Sequence, residues 1–293
     1  MKILLVGEHG QVSRELQLSL RGQGELIVRG RAQLDLSQPE QIRQQVRTLR
    51  PDLIVNAAAH TAVDQAESEA QLAFAINATA PGILAEEAAT LGAPLIHYST
   101  DYVFDGTKKA PYAEDDAPNP LGVYGRSKLA GEQAIQAVGG EHLILRTSWV
   151  YSLHGKNFLL TMQRLLQERD SLNVVADQIG APTWAGSIAS ATSQLVEHWR
   201  QGRAGPWGLY HLSTQGEVSW FGFASAIAEQ LRAQGKATAT LQPIPTSAYP
   251  TPARRPLNSR LDCTRLQHDW HVQLSDWHSA LLECLHSGER SKP

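Results

Sequence analysis

The sequence predicts an α/β protein: a doubly wound, mostly parallel sheet followed by a smaller C-terminal domain. Three observations carry that reading. Short apolar, β-branched runs alternate with longer amphipathic stretches, as in βαβα architectures. Several of the runs are apolar almost throughout, as strands covered on both faces are. A glycine-bearing turn joins the first run directly to the first amphipathic stretch.

The elements follow in order. Strands are expected at Lys2–Val6, Glu25–Val28, Asp52–Asn56, Pro94–Ser99 and His142–Thr147, with helices at Gln11–Arg21, Pro39–Leu49, Ala70–Leu91 and Gly122–Val138 between them. Ser37 is positioned to cap the helix that opens at Pro39 and Glu40. After Trp149 the pattern loosens. It gives a helix at Asn157–Glu168, a strand at Asn173–Ala176, a helix at Ala185–Arg200, a loop at Gly202–Gly208, a strand at Leu209–Ser213 and a helix at Trp220–Ala233. Pro243–Pro256 holds five prolines and is expected as an extended loop, without helix or central strand. The 293 residues suit two domains at about 150 each. Residues 1–150 form a dinucleotide-binding domain to which segments from about 172–213 return. The remainder, 151–293, is mainly a substrate domain built from interleaved segments.

Composition narrows the function. Hydrophobic residues make up 42% and charged residues 19%, and the net charge is −3 without basic or acidic runs. A disordered chain and a partner among nucleic acids or anionic membranes are both disfavoured. The apolar stretch at the N-terminus is too short for a secretory signal, and no later run has the length of a membrane span. Two cysteines, Cys263 and Cys284, lack metal or redox-pair spacing. Reduced thiols and a cytoplasmic location are therefore expected.

The turn after the first strand reads Gly7-Glu8-His9-Gly10-Gln11-Val12-Ser13. Glycines there let the backbone approach a pyrophosphate seated on a helix N-terminus, the Rossmann-like arrangement. Ser13 stands where a third glycine often does, and is small enough for close packing. The second strand ends in Arg29-Gly30-Arg31, with no carboxylate before Asp35. Arginines there receive the 2′-phosphate of NADPH, so NADPH is favoured and NADH remains the alternative. Asp35 and Leu36 are placed to frame the adenine.

Tyr124-Gly125-Arg126-Ser127-Lys128 opens a helix, and a spacing of four puts the phenol and the ammonium on one face. The ammonium is expected to lower the phenol's pKa toward neutrality. Thr100 and Asp101 end the fourth strand, where an open α/β sheet places its ligand crevice. Thr100 would then polarise a carbonyl, Tyr124 donate the proton and Lys128 orient the nicotinamide ribose. Arg254, Arg255 and Arg260 lie in or just after the proline-rich loop, where arginine forks suit a diphosphate; Arg255 and Arg260 are the stronger candidates.

With Asn56-Ala57-Ala58-Ala59-His60-Thr61-Ala62-Val63-Asp64, Ser99-Thr100-Asp101-Tyr102-Val103-Phe104, Arg146–Tyr151, Asp177–Thr183 and Tyr249–Pro256, these motifs resemble the extended short-chain dehydrogenase/reductases over nearly the whole chain. Within that family the chain is similar to the branch that reduces the 4-keto group of dTDP-4-dehydro-L-rhamnose. The resemblance implies catalytic roles for Thr100, Tyr124 and Lys128. It implies cofactor contacts from Gln11, Val12, Asp35, Leu36, Ala59, His60 and Thr61, and substrate contacts from Asp101 and Trp149. Relatives are described as holding Mg2+ through glutamates at a homodimer interface. Glu15 and Glu283 match such positions but Gly186 stands where another carboxylate belongs, so no metal site is assigned. A reductase of another nucleotide sugar, an epimerase or dehydratase, and a non-catalytic regulatory subunit of the methionine adenosyltransferase type remain as alternatives.

Overall fold

The computed structural model describes residues 1–290, the last two by backbone alone. The first half runs β1 (Lys2–Val6), α1 (Gln11–Ser19), β2 (Glu25–Arg29), α2 (Pro39–Leu49) and β3 (Leu53–Asn56), then α3 (Val63–Ala66), α4 (Ala70–Phe74), α5 (Ala80–Leu91), β4 (Leu95–Thr100), α6 (Val123–Val138) and β5 (His142–Thr147). The second half opens with β6 (Val150–Tyr151), α7 (Phe158–Glu168), β7 (Ser171–Val175), β8 (Ile179–Gly180), β9 (Thr183–Trp184) and α8 (Ala185–Arg200). It closes with β10 (Gly208–His211), β11 (Val218–Ser219), α9 (Trp220–Ala233), β12 (Thr240–Ile244), α10 (Thr264–Trp270) and α11 (Trp277–Arg290).

Six strands form one sheet in the order β10-β5-β4-β3-β1-β2, parallel at every pairing. Parallel neighbours require crossovers, and the helices supply them on both faces. Side chains alternate along β1 accordingly. Ile3 and Leu5 face a core with Leu16 and Leu20 of α1, Ile188 and Leu195 of α8, and Trp270 of α10. Leu4 and Val6 face the opposite core, with Ile42 and Val46 of α2, Leu84 of α5 and Ile135 of α6. An apolar run without alternation is the signature of this double coverage. Strand order reverses between β1 and β3, which opens the ligand crevice at their carboxyl ends.

A third core gathers Tyr151, Leu159, Met162 and Leu166 with Val174, Phe223, Ile227, Leu281 and Cys284. It joins α7, α9 and α11 around the two-stranded pair of β7 and β12. Within the expected returning segment, α8 and β10 rejoin the main sheet, whereas β7 pairs away from it. The segment thus begins at α8 rather than near residue 172.

Other expectations change in detail. Gln38, not Ser37, occupies the cap position of α2, because the Ser37 hydroxyl is taken by Asp35 Oδ1 at 2.8 Å. The expected helix Ala70–Leu91 contains a π turn at Ala75–Thr79. Pro81 has no N–H for the Asn77 carbonyl, and the widened turn buries Asn77 inward. Pro243 lies inside β12, which pairs with β7 alone, so its missing N–H disrupts no second ladder. A short 3-10 turn at Thr246–Ala248 follows.

Candidate active site

The phosphate-binding turn forms as its glycines require. Gly7 sits at φ +106°, and a Cβ there would press within 3.3 Å of the Ala57–Ala58 backbone. Gly10 caps α1 with no side chain over the helix end, and the nearest neighbour of a Cβ there would be the Ala57 carbonyl at 3.9 Å, an ordinary contact. Ser13, fully buried, donates its hydroxyl to the Gly7 carbonyl at 2.6 Å. The first-turn N–H groups of α1 therefore face an open cradle, which fits a dinucleotide pyrophosphate. Gln11 closes one side, where its Oε1 accepts from Ser152 at 3.1 Å and from Asn157 at 2.8 Å. Val12 packs into the core beneath.

At the end of β2 folding adds a group that linear reading missed. Glu8, from the turn after β1, lays its carboxylate over Gly30, where a Cβ would have to push it aside. A carboxylate thus reaches the tip of β2, correcting the expectation that none stands there before Asp35. Arg29 folds back to donate to the Val28 carbonyl at 3.1 Å, and Arg31 lies 3.7 Å from Asp35. Hydrogen bonds from the Ser37 N–H and hydroxyl hold the Asp35 carboxyl below its usual range. Leu36 is buried within the sheet core. Ala59, His60 and Thr61 form the loop after β3. His60 donates its backbone N–H to Asn77 Oδ1 at 2.8 Å and pairs with Glu69 at 3.1 Å, while its Nδ1 is buried without a partner.

Thr100 ends β4 inside the crevice. Its Oγ1 donates to Asp101 Oδ1 at 3.0 Å and accepts the Tyr102 N–H at 3.2 Å. Tyr124 lies in the first turn of α6, which Glu67 anchors by accepting the Val123 N–H at 2.8 Å. Gly125 lets α6 approach this closely, since a Cβ would collide with the Tyr102 carbonyl. The Tyr124 ring meets Tyr102 edge to face at 5.5 Å. Burial pushes the phenol up to about 12, opposed by the neighbouring Thr100 hydroxyl. Lys128 does not lower it, contrary to expectation. The lysine is 1% exposed and turned to β4, donating to the Tyr98 carbonyl at 2.6 Å with His97 Nε2 at 3.2 Å. Burial pushes Lys128 down to about 8.

Asp101 is buried, its Oδ2 has no hydrogen-bond partner, and burial raises its carboxyl to about 6. Trp149 adopts φ +48°, an uncommon conformation for so large a side chain, and stacks on Trp220 with ring centroids 3.5 Å apart. Trp220 was not evident from spacing alone, because only folding brings α9 beside β6. Arg255 donates from Nη2 to Asp64 Oδ2 at 2.9 Å, and its Nη1 is buried without a partner. Arg260 is held by neighbours on three sides. Its guanidinium donates to Asn258 Oδ1, Glu217 and the Lys109 carbonyl, which takes three of its five N–H groups. Arg254 is exposed. A carboxylate side chain at Gly186 would run into the Trp184 ring, and among the described residues no group of three or more metal-ligating side chains gathers.

Comparison with known proteins places this geometry. Residues 1–289 match the family model described as the RmlD substrate binding domain. A dTDP-4-dehydrorhamnose reductase of Burkholderia thailandensis is 47% identical over 292 residues, covering 97% of this chain and 98% of the relative. One from Escherichia coli is 48% identical over 283 residues, covering 94% of each. The crystal structure of dTDP-4-dehydrorhamnose reductase from Bacillus anthracis in complex with NADP superposes with a TM-score of 0.90 at 34% identity, covering 98% of this chain and 99% of that one. A Thermus thermophilus UDP-glucose 4-epimerase shares the fold at a TM-score of 0.79 and 20% identity. The chain belongs to the RmlD substrate binding domain family, in the company of the dTDP-4-dehydrorhamnose reductases.

Proposed function

We propose that this protein reduces the 4-keto group of dTDP-4-dehydro-L-rhamnose to give dTDP-L-rhamnose, a nucleotide sugar for cell-surface polysaccharides such as lipopolysaccharide O-antigen. The observation that carries this reading is the placement of Thr100 at the carboxyl end of β4 and of Tyr124 in the first turn of α6, beside the dinucleotide crevice. Relatives named for this reaction over nearly the whole chain support it. NADPH or NADH supplies the hydride when bound, and the open cradle at Gly7–Gln11 with the orphaned His60 Nδ1 suits such a cofactor.

Tyr124 stays a phenol at neutral pH, as a proton donor must. Thr100 and Tyr124 hold the carbonyl oxygen together, and Tyr124 transfers its proton to that oxygen as charge develops there. Lys128 orients the nicotinamide ribose. Asp101 offers Oδ2 to a sugar hydroxyl, the stacked Trp149 and Trp220 border the sugar ring, and the free Nη1 of Arg255 meets the diphosphate. At the adenosine end Arg29 favours NADPH, whereas Glu8 repels a 2′-phosphate and supports use of NADH.

Cys263 and Cys284 are unbridged, which fits a cytoplasmic enzyme. A homodimer is the expected assembly, to be read from light scattering of the purified chain. An intact Thr100, Tyr124 and Lys128 set does not favour the regulatory-subunit alternative. Incubation of the protein with NADPH and dTDP-4-dehydro-L-rhamnose, with the product identified by NMR, tests the reading. Formation of dTDP-L-rhamnose is the expected result. Turnover only with a different base or hexose would reassign the substrate, and binding of NADPH without any turnover would defeat the reading.

A further inference from the structure

Behind the catalytic lysine lies a buried chain of polar groups that the reaction scheme above does not use. Asn56 ends β3 at 1% exposure, His97 lies beside it on β4 at 1%, and Lys128 reaches down from α6. Asn56 Nδ2 stands 3.0 Å from His97 Nδ1, and His97 Nε2 stands 3.2 Å from Lys128 Nζ.

The proton inventory of this chain is constrained. Asn56 Oδ1 accepts the Ala58 N–H at 3.2 Å, which turns the amide NH2 toward His97. His97 Nδ1 is then an acceptor, and a neutral ring carries its hydrogen on Nε2. That hydrogen points at Lys128 Nζ. An ammonium has donors only, so it cannot accept from Nε2. A neutral amine can, and it still donates to the Tyr98 carbonyl at 2.6 Å. Protonation of Lys128 requires the opposite arrangement. The ring then moves its hydrogen to Nδ1, Asn56 presents Oδ1 to it, and the bond to Ala58 is given up.

We infer that Asn56 and His97 are positioning residues that set the charge state of Lys128, by coupling its proton to the ring tautomer of His97. Asn56 is followed directly by Ala57–Thr61, the loop read as touching the cofactor, so the same coupling joins the lysine's proton to the shape of that loop. The remaining groups around the lysine fit this role. Glu132, one turn further along α6, favours the charged form, but its carboxylate is already held by Arg146 at 2.6 Å and Ser99 at 2.5 Å. Tyr124, one turn back, is a neutral phenol. Among the described residues no further titratable group bears on His97, which burial and Lys128 together keep neutral. The lysine's fall toward about 8 accords with the geometry.

The inference rests on the reductase reading for its catalytic meaning, but its first test needs no turnover. The free protein, labelled with 15N-histidine and 13C-lysine, is titrated by NMR. At pH above the Lys128 transition His97 is expected as the Nε2–H tautomer, and it switches to Nδ1–H as Lys128 gains its proton. In His97→Gln the amide can offer oxygen to an ammonium at all times, so the Lys128 transition moves up by about one pH unit. The alkaline limb of the kcat profile moves with it, because the charged lysine survives to higher pH. Asn56→Asp, which offers Nδ1 only acceptor oxygens, should hold the Nδ1–H tautomer throughout and raise the transition as well. A merely structural role would lower activity or stability in these variants and leave the Lys128 transition where it was. An unmoved transition in both variants, or a His97 ring that keeps one tautomer across the titration, overturns the inference. Coupled titrations without reduction of dTDP-4-dehydro-L-rhamnose would leave it standing and defeat the reductase reading instead.

Discussion

Asp101 and Glu8 show how single residues take their character from neighbours that are distant in sequence. Burial raises the Asp101 carboxyl from its ordinary value near 3.8 to about 6. Its folded pKa thus lies above the unfolded one, so its contribution to stability is present below about pH 4 and is lost as pH rises toward 6. Asp101→Asn should flatten that part of a denaturation series run between pH 4 and 6. Glu8→Ala, which removes a carboxylate from the adenosine end, should shift relative affinity toward NADPH over NADH several-fold, read by titration of cofactor fluorescence. At this scale the sequence was partly legible. Thr100, Tyr124 and Lys128 stand out because their chemistry depends on a local spacing and on strand ends. The interactions of Glu8 with Gly30, Asp64 with Arg255 and Trp220 with Trp149 were not legible, since each joins segments that only tertiary packing brings together. The lysine's orientation was misread for the same reason: an i, i+4 spacing fixes a helix face but not the partner that face meets.

Elements tie the site to the sheet. The first turn of α6 carries Tyr124, and Glu67 anchors that turn from the segment after α3 through the Val123 N–H. Glu67→Ala should cost about 1 kcal/mol of stability, as loss of a capping acceptor does, and lower kcat by misplacing the phenol. Denaturant unfolding and steady-state kinetics measure the two effects. The loop before α6 is pinned at Asp105, which accepts from Thr107, Tyr112 and Asn119 and is held down to about 2. A lowered folded pKa stabilises above the unfolded value and the gain is lost as pH falls toward 2, so Asp105→Asn should weaken the acid dependence of unfolding. The main strands and long helices were readable from hydrophobic period. The two-residue strands β6, β8, β9 and β11 were not, because two residues carry no period. Helices α10 and α11 also escaped, following a proline-rich stretch that masks where helix resumes.

For the molecule as a whole, two cores sandwich one parallel sheet, and a third core packs α7, α9 and α11 with Trp220 against it. The buried pair of Arg146 on β5 and Glu132 on α6 spans the sheet–helix boundary with both side chains 2% exposed. Removing one partner leaves an uncompensated charge, so Glu132→Gln should cost roughly 3–5 kcal/mol, measured by chemical denaturation. Gln11 links the glycine turn after β1 to Ser152 and Asn157, between β6 and α7, so both halves of the chain border the crevice. That convergence was legible only in outline, from strand order and the position of the glycine turn. Under the proposed function, this crevice reduces a nucleotide-sugar ketone with Tyr124 as proton donor. The most direct measurement compares NADPH oxidation with dTDP-4-dehydro-L-rhamnose by the native chain and by Tyr124→Phe at equal cofactor occupancy. Turnover should fall roughly 10²–10⁴-fold in the variant while NADPH binding persists. Equal rates in the two proteins, or no native turnover, would contradict the proposed function.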